Sequence, residues 1–249
     1  MTNWFTSGGA GYAAHRPTYP AELARALAEL APARRLAVDV GCGSGQFTVL
    51  LAECFDEVIG LDPSDDQLAH AVARDGVEYR RARAEETGLA DACADLITVA
   101  QAAHWLDLPP FYDEVRRIAA DGAVLALITY GAADLPPDLQ PRFDRLYRDE
   151  LGPYWPPERR HIDAGYADLE FGFDRLPVAA PAIEREWTLG EFTAYLETWS
   201  AARRAAAAGD GHLIDRFAAD IRDSWGPGRR RVRWPLTVVA GRVERSDLR

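Results

Sequence analysis

An α/β fold is predicted, with a doubly wound parallel sheet, an antiparallel last strand and a helical cap inserted after the fifth strand. Three observations predict it. Up to about residue 130, short apolar runs alternate with amphipathic helical segments, the pattern of strands joined by crossover helices. The first run, Leu36–Val40, meets a turn with glycines at 41, 43 and 45 and then a helical segment. From Gly131 to about Ala180 the alternation stops and prolines and aromatics crowd together, as an insertion would read.

Pro20 opens a helix with Leu23, Leu27 and Leu30 on one face. After the first strand comes the glycine turn, Gly41-Cys42-Gly43-Ser44-Gly45, and a helix over residues 47–54. Glycines at alternate positions let the backbone turn sharply and approach a ligand, because no Cβ intervenes. The helix that opens there directs its free N–H groups at whatever occupies the turn. A dinucleotide site wants G-x-G-x-x-G, and Gln46 stands where its third glycine belongs. Asp39 also places a negative charge beside the turn, which suits a cationic ligand better than a pyrophosphate.

Residues 57–62 form the second strand, and Ser64-Asp65-Asp66-Gln67 is a capping box for a helix running to about Arg74. Asp62, about twenty residues past the turn, is placed to take two ribose hydroxyls, with helix capping as its structural alternative. Strands follow over 77–81 and 95–100. Phe111, Val115, Ile118 and Ala119 make a helix face stopped at Asp121-Gly122, and residues 123–130 form the fifth strand. Within the insertion, short helices are expected over 141–151 and 158–166. Residues 183–187 alternate like a strand, and Thr188-Leu189-Gly190-Glu191 caps a helix carrying Phe192, Tyr195, Leu196 and Trp199. A helix over 213–225 stops at Gly226-Pro227. Residues 232–243 form the last strand, antiparallel and expected to pair with the 183 strand. The organisation read from this is a lid and ligand-binding core over 1–130, a cap over 131–180, and core-completing elements over 181–249.

Composition narrows the function. The 249 residues carry a net charge of -11, which argues against nucleic acid as a partner. The local exception, Arg229-Arg230-Arg231-Val232-Arg233, reads as a solvated strand edge. Cys42, Cys54 and Cys93 show no paired spacing and the histidines are scattered, so reduced thiols and no metal site are expected. No apolar run nears the roughly 20 residues of a membrane span, and the start lacks the pattern of a signal peptide; a cytoplasmic protein is expected. Oligomeric state stays open.

Asp39-Val40-Gly41-Cys42-Gly43-Ser44-Gly45 closely resembles the first motif of class I methyltransferases that use S-adenosylmethionine. Tyr12-Ala13-Ala14-His15-Arg16-Pro17-Thr18-Tyr19-Pro20 resembles the opening of many small-molecule methyltransferases, a segment that covers the cofactor. Ala84-Glu85 resembles the family's adenine loop, although Arg83 stands where a polar or acidic residue is usual and Thr87-Gly88 where Leu-Pro is common. Gln101-Ala102-Ala103-His104-Trp105-Leu106-Asp107 is similar to the Gln-x-x-His-Trp-x-Asp signature of trans-aconitate-type methyltransferases. Tyr195-Leu196-Glu197-Thr198-Trp199-Ser200 resembles a further element of that subgroup.

The resemblance implies a seven-stranded Rossmann-like sheet and methyl transfer from S-adenosylmethionine to a small-molecule acceptor, leaving S-adenosylhomocysteine. It implies cofactor contacts from Tyr12, Arg16, Asp39, Gly41, Cys42, Gly43, Gln46, Asp62, Pro63, Ala84, Glu85 and Gln101. Tyr19, His104, Trp105, Tyr130 and Trp199 would border the acceptor. Where the acceptor must lose a proton, His104 and His15 are the candidate bases, with pKa values suited to neutral pH; His104 has the alternative of a packed histidine. Two rivals stand beside this reading. One is a nicotinamide-dependent oxidoreductase, opposed by Gln46 and by the lack of a Tyr-x-x-x-Lys pair; the other is a donor-binding scaffold without turnover.

Overall fold

The computed structural model describes residues 16–244. Five strands, β1 (Leu36–Val40), β2 (Glu57–Asp62), β3 (Val77–Arg81), β4 (Ala94–Ala100) and β5 (Ala119–Tyr130), run parallel in the order β3-β2-β1-β4-β5. Two more complete a seven-stranded sheet. β9 (Leu236–Val243) lies antiparallel on β5, and β6 (Asp174–Leu176) antiparallel on β9. The central strands are apolar along nearly their whole length because both sheet faces are covered. Strand order reverses between β1 and β4, and a crevice opens there beyond the strands' carboxyl ends.

One face is covered by α1 (Ala21–Leu30), α2 (Thr48–Leu51) and a helical cap; the other by α4 (Leu108–Ile118), with α3 (Asp65–Ala69) lying against β2 and β3. The spacing of Leu23 and Leu27 on α1 puts both fully inside, each contributing about 1.5–3 kcal/mol. The cap comprises α5 (Gln140–Arg145), which runs on as a π-turn to Glu150, α6 (Arg159–Asp163), α7 (Leu189–Glu197), α8 (Ser200–Ala207) and α9 (His212–Trp225). Its rings pack on one another; Phe192 and Trp225, for example, stack with centroids 5.3 Å apart. The Thr188–Glu191 capping box at the start of α7 is fully formed.

Several expected boundaries are corrected. The helix after Ser64 ends at Ala69 instead of Arg74, because Val72 N–H donates to Ser44 O and Tyr79 Oη donates to Val72 O, drawing the chain back over the glycine turn. The helix after the turn spans only Thr48–Leu51. β5 begins at Ala119, four residues early, and passes through Gly122 at φ 72°. The last strand is two: Pro235 has no N–H to continue a ladder, so β8 (Arg230–Trp234) pairs with β7 (Ile183–Trp187) in a separate sheet while β9 enters the main one. The 131–180 segment serves both faces, since Tyr166, Phe173 and β6 lie away from the cap's aromatic cluster. The arginines of β8 are paired as a solvated edge would be, Arg230 with Asp138 and Arg233 with Asp134.

Candidate functional site

The glycine turn sits at the end of β1, and four of its five N–H donors are already spent. Gly41 and Cys42 donate to Leu61 O at 2.8 and 3.0 Å, Gly45 donates to Cys42 O, and Gly43 N–H meets Asp62 Oδ2 at 2.9 Å. These four are N–H groups of the turn itself, and the helix N–H groups expected to face the ligand are not among them. A cavity with these four turn donors consumed, and two carboxylates beside them, is built for a cationic or hydroxyl-bearing ligand and poorly for a pyrophosphate. The glycines serve different ends. Gly45 makes room for the Tyr79 ring, whose hydroxyl would lie 2.0 Å from an added Cβ. Gly43 leaves the cavity open, its added Cβ meeting only Gln67 Oε1 at 3.6 Å.

Asp62 closes the other side of the turn. Its Oδ1 accepts Ser64 N–H at 2.9 Å while Oδ2 holds Gly43, and burial raises its pKa against the pull of those two donors. Asp39 is 1% exposed and accepts from Thr48 Oγ1 at 2.7 Å and Thr98 Oγ1 at 2.8 Å. Burial pushes its carboxyl up to about 6, the two hydroxyls opposing and the charge of Asp62 adding to the rise. The folded state thus holds this proton more tightly than an unfolded chain, where the carboxyl has its ordinary value of 3.8, so Asp39's contribution to stability falls as pH rises from about 4 through 6. A cationic ligand needs the carboxylate. Its affinity is expected to drop as pH falls through about 6, and binding near pH 6 to release protons. Calorimetry in buffers of different ionisation enthalpy measures this, and Asp39→Asn should abolish the release.

The turn, Asp39 and Asp62 wall a cavity of about 590 Å³. Arg16, Cys42, Gln46, Pro63, Ala84, Glu85 and Gln101 line it, as does Tyr19, whose ring meets Phe47 edge-on at 5.1 Å. Tyr12 and His15 lie outside the described residues. Burial, the charge of Asp39 and that of Asp62 raise the Cys42 thiol pKa, so it is an apolar wall rather than a nucleophile. Gln101 adopts φ 57°, and its amide spans Thr129 Oγ1 at 2.7 Å and Tyr130 O at 2.9 Å, which sets the loop after β4. Gln67, 5% exposed, presents an Oε1 with no hydrogen-bond partner among the described residues. A buried acceptor without a donor, two carboxylates and an open glycine fit an aminated, hydroxylated ligand such as S-adenosylmethionine.

A smaller chamber of about 70 Å³ adjoins this cavity, and Arg16, Gln101, Trp105 and Tyr130 line both. His104 and Trp199 also line the chamber. The His104 ring lies against Trp105, centroids 4.7 Å apart and planes tilted by 46°, and bonds Tyr166 Oη through Nδ1 at 3.0 Å. Its expected near-neutral pKa is corrected: burial, then the charges of Arg159, His161 and Arg16, push it down to about 3.

Some lining residues carried no sequence signal. Gln67 was read only as the far end of a capping box, and that box is half formed: Ser64 Oγ accepts Gln67 N–H, but Ser64 N–H donates to Asp62 Oδ1 and leaves the Gln67 side chain facing the cavity. Arg159 lay in a segment read only as a short helix of the insertion, yet it lines the chamber together with Trp155, Arg203 and Arg204. The turn of chain through residues 150–159 brings Trp155 and Arg159 there, and α8 brings Arg203 and Arg204. Among the described residues no cluster could hold a metal ion, and no helix is long and apolar enough to cross a membrane.

Fold and site together define a class I sheet with a cofactor cavity at its switch point. Residues 38–127 match the methyltransferase-domain family. A candidate methyltransferase of Dictyostelium discoideum is 38% identical over 200 residues, covering 79% of this chain and 76% of its own. A candidate type II methyltransferase from Anaeromyxobacter dehalogenans, 42% identical, superposes with a TM-score of 0.85 over 92% of this chain and 98% of that one. An uncharacterised methyltransferase of Mycobacterium tuberculosis is 35% identical over 131 residues, 51% of this chain and 52% of its own. The chain belongs to the class I S-adenosylmethionine-dependent methyltransferases.

Proposed function

We propose that the protein transfers a methyl group from S-adenosylmethionine to a small-molecule acceptor seated in the chamber under the cap. The observation that carries this is the junction: four residues, Arg16, Gln101, Trp105 and Tyr130, wall both the cofactor cavity and the chamber. An acceptor there reaches the cofactor cavity without crossing bulk water. When bound, S-adenosylmethionine would supply an activated methyl group, taken by an acceptor lone pair as the methyl–sulfur bond breaks and S-adenosylhomocysteine leaves. In this reading Asp62 holds ribose hydroxyls, Asp39 faces the amino end, and Ala84 and Glu85 lie along the adenine.

The chain's own contribution is alignment and exclusion of water, which together are worth several kcal/mol, about 7–11 at the upper limit. Trp105, Tyr130 and Trp199 form apolar walls, Tyr130 and Trp199 at 4% exposure each. General-base catalysis by His104 is not part of the mechanism, since a ring with its pKa near 3 takes no proton at neutral pH. The acceptor atom arrives unprotonated or loses its proton to water.

Two measurements test the reading. Demethylated cofactor should form from S-adenosylmethionine only when an acceptor from a small-molecule panel is added; formation independent of any acceptor, or none with a broad panel, contradicts it. With an acceptor in hand, kcat at saturating donor should show no limb between pH 6 and 7 that His104→Gln removes. Such a limb would restore His104 as a base.

A further inference from the structure

Among the described residues the chamber is lined by four arginines, Arg16, Arg159, Arg203 and Arg204, and by no aspartate or glutamate. A chain of net charge -11 has thus gathered positive charge around one chamber. Such charge favours anions and opposes cationic acceptors.

Arg159 is the best placed of the four. Its side chain is 15% exposed, and its guanidinium lies 4.6 Å from the centre of the Trp155 ring and 5.3 Å from that of Tyr147. Its hydrogen bonds to Tyr147 Oη at 2.7 Å and Asp163 Oδ1 at 3.2 Å both run from Nε. The two terminal nitrogens of the fork are not used in them, and these are the pair that grips a planar acid. Arg203 and Arg204 reach the chamber from α8, so the charge converges from two elements.

Position adds a second constraint. Arg159, Arg203 and Arg204 line only the chamber, whereas Arg16 and Tyr130 sit where it meets the cofactor cavity. The chamber's 70 Å³ has room for roughly five water-sized groups, which is a terminal group and part of a stem. Trp155 and Trp199 give that stem flat apolar walls.

Resting on the methyl-transfer reading above, we infer that the acceptor is a carboxylic acid anchored through its carboxylate by Arg159, with Arg203 and Arg204 adding charge, and that the methylated atom is a different one, held at the junction beside Arg16 and Tyr130.

The test uses the full chain loaded with S-adenosylhomocysteine. Hydroxybenzoate, hydroxyphenylacetate and hydroxycinnamate are titrated, each against its primary amide and the corresponding amine. At least one acid should bind about tenfold or more tighter than its amide. Arg159→Gln should weaken that acid by about tenfold and leave the amide and the S-adenosylhomocysteine affinity unchanged, while Arg159→Lys recovers part of the loss. Arg203→Gln, at an exposed position, should reduce the preference by about threefold. The inference is overturned if no acid binds, if an amide or amine is the better ligand, or if both glutamine variants keep the wild-type preference. Failure of the underlying reading is seen separately, as wild-type protein that does not bind S-adenosylhomocysteine before any acceptor is added.

Discussion

Asp62→Ala is expected to weaken S-adenosylmethionine and S-adenosylhomocysteine binding by about 100-fold or more, close to 3 kcal/mol. The carboxylate has two tasks at once. It holds Gly43 N–H and Ser64 N–H, both at 2.9 Å, and it faces the cavity where the ribose hydroxyls would lie. Truncation removes the ribose acceptor and leaves two backbone donors without partners, each costing about 1–3 kcal/mol where water cannot reach them. A lower melting temperature should accompany the loss of affinity. Asp62→Asn keeps one carbonyl acceptor and should fall between. Calorimetry with S-adenosylhomocysteine reads the effect, and unchanged affinity in a folded Asp62→Ala protein would remove the ribose role.

Gly41→Ala should be the most disruptive single methyl in the turn. Gly41 sits at φ 68°, where an L side chain is strained by about 1–2 kcal/mol. Its new Cβ would also lie 2.6 Å from Ala102 Cβ, which is tied to the backbone of the loop after β4 and cannot swing away. Overpacking adds about 1–3 kcal/mol, so a total loss of about 2–5 kcal/mol and a melting temperature lower by about 4–20 °C are expected. Ala102→Gly in the same chain should recover the packing part. Gly43→Ala is the contrast: its Cβ meets no atom nearer than 3.6 Å, so stability should fall less while ligand affinity falls clearly. Equal melting temperatures for Gly41→Ala and wild type would show that the loop after β4 yields more easily than its geometry implies.

Much of the fold was legible in the sequence because burial on both sheet faces leaves continuous apolar strands. Residues 36–40, 57–62, 77–81 and 183–187 are strands over the expected spans. Less legible were features set by contacts distant in sequence. The early end of α3 depends on Val72 reaching Ser44 and Tyr79, and the split at Pro235 depends on which partner each half finds. β6, only three residues long, has no periodicity to read. At the site, the residue types of Asp39, Asp62 and the glycine turn pointed to the cavity they wall. Arg159 did not, since a charged residue on a short helix looks solvated until the cap folds over it. The pKa of His104 was misjudged for the same reason: burial and the arginines around it come from the tertiary arrangement alone.

The central claim is that the turn at the end of β1, with four of its donors consumed and two carboxylates beside it, accepts a cationic adenosine derivative and rejects a pyrophosphate. Titration calorimetry of the intact chain with S-adenosylmethionine, S-adenosylhomocysteine and NAD tests it most directly. The account predicts one site for each of the first two, lost in Asp62→Ala, and no heat of binding with NAD. Saturable binding of NAD with none of either methionine derivative would contradict it.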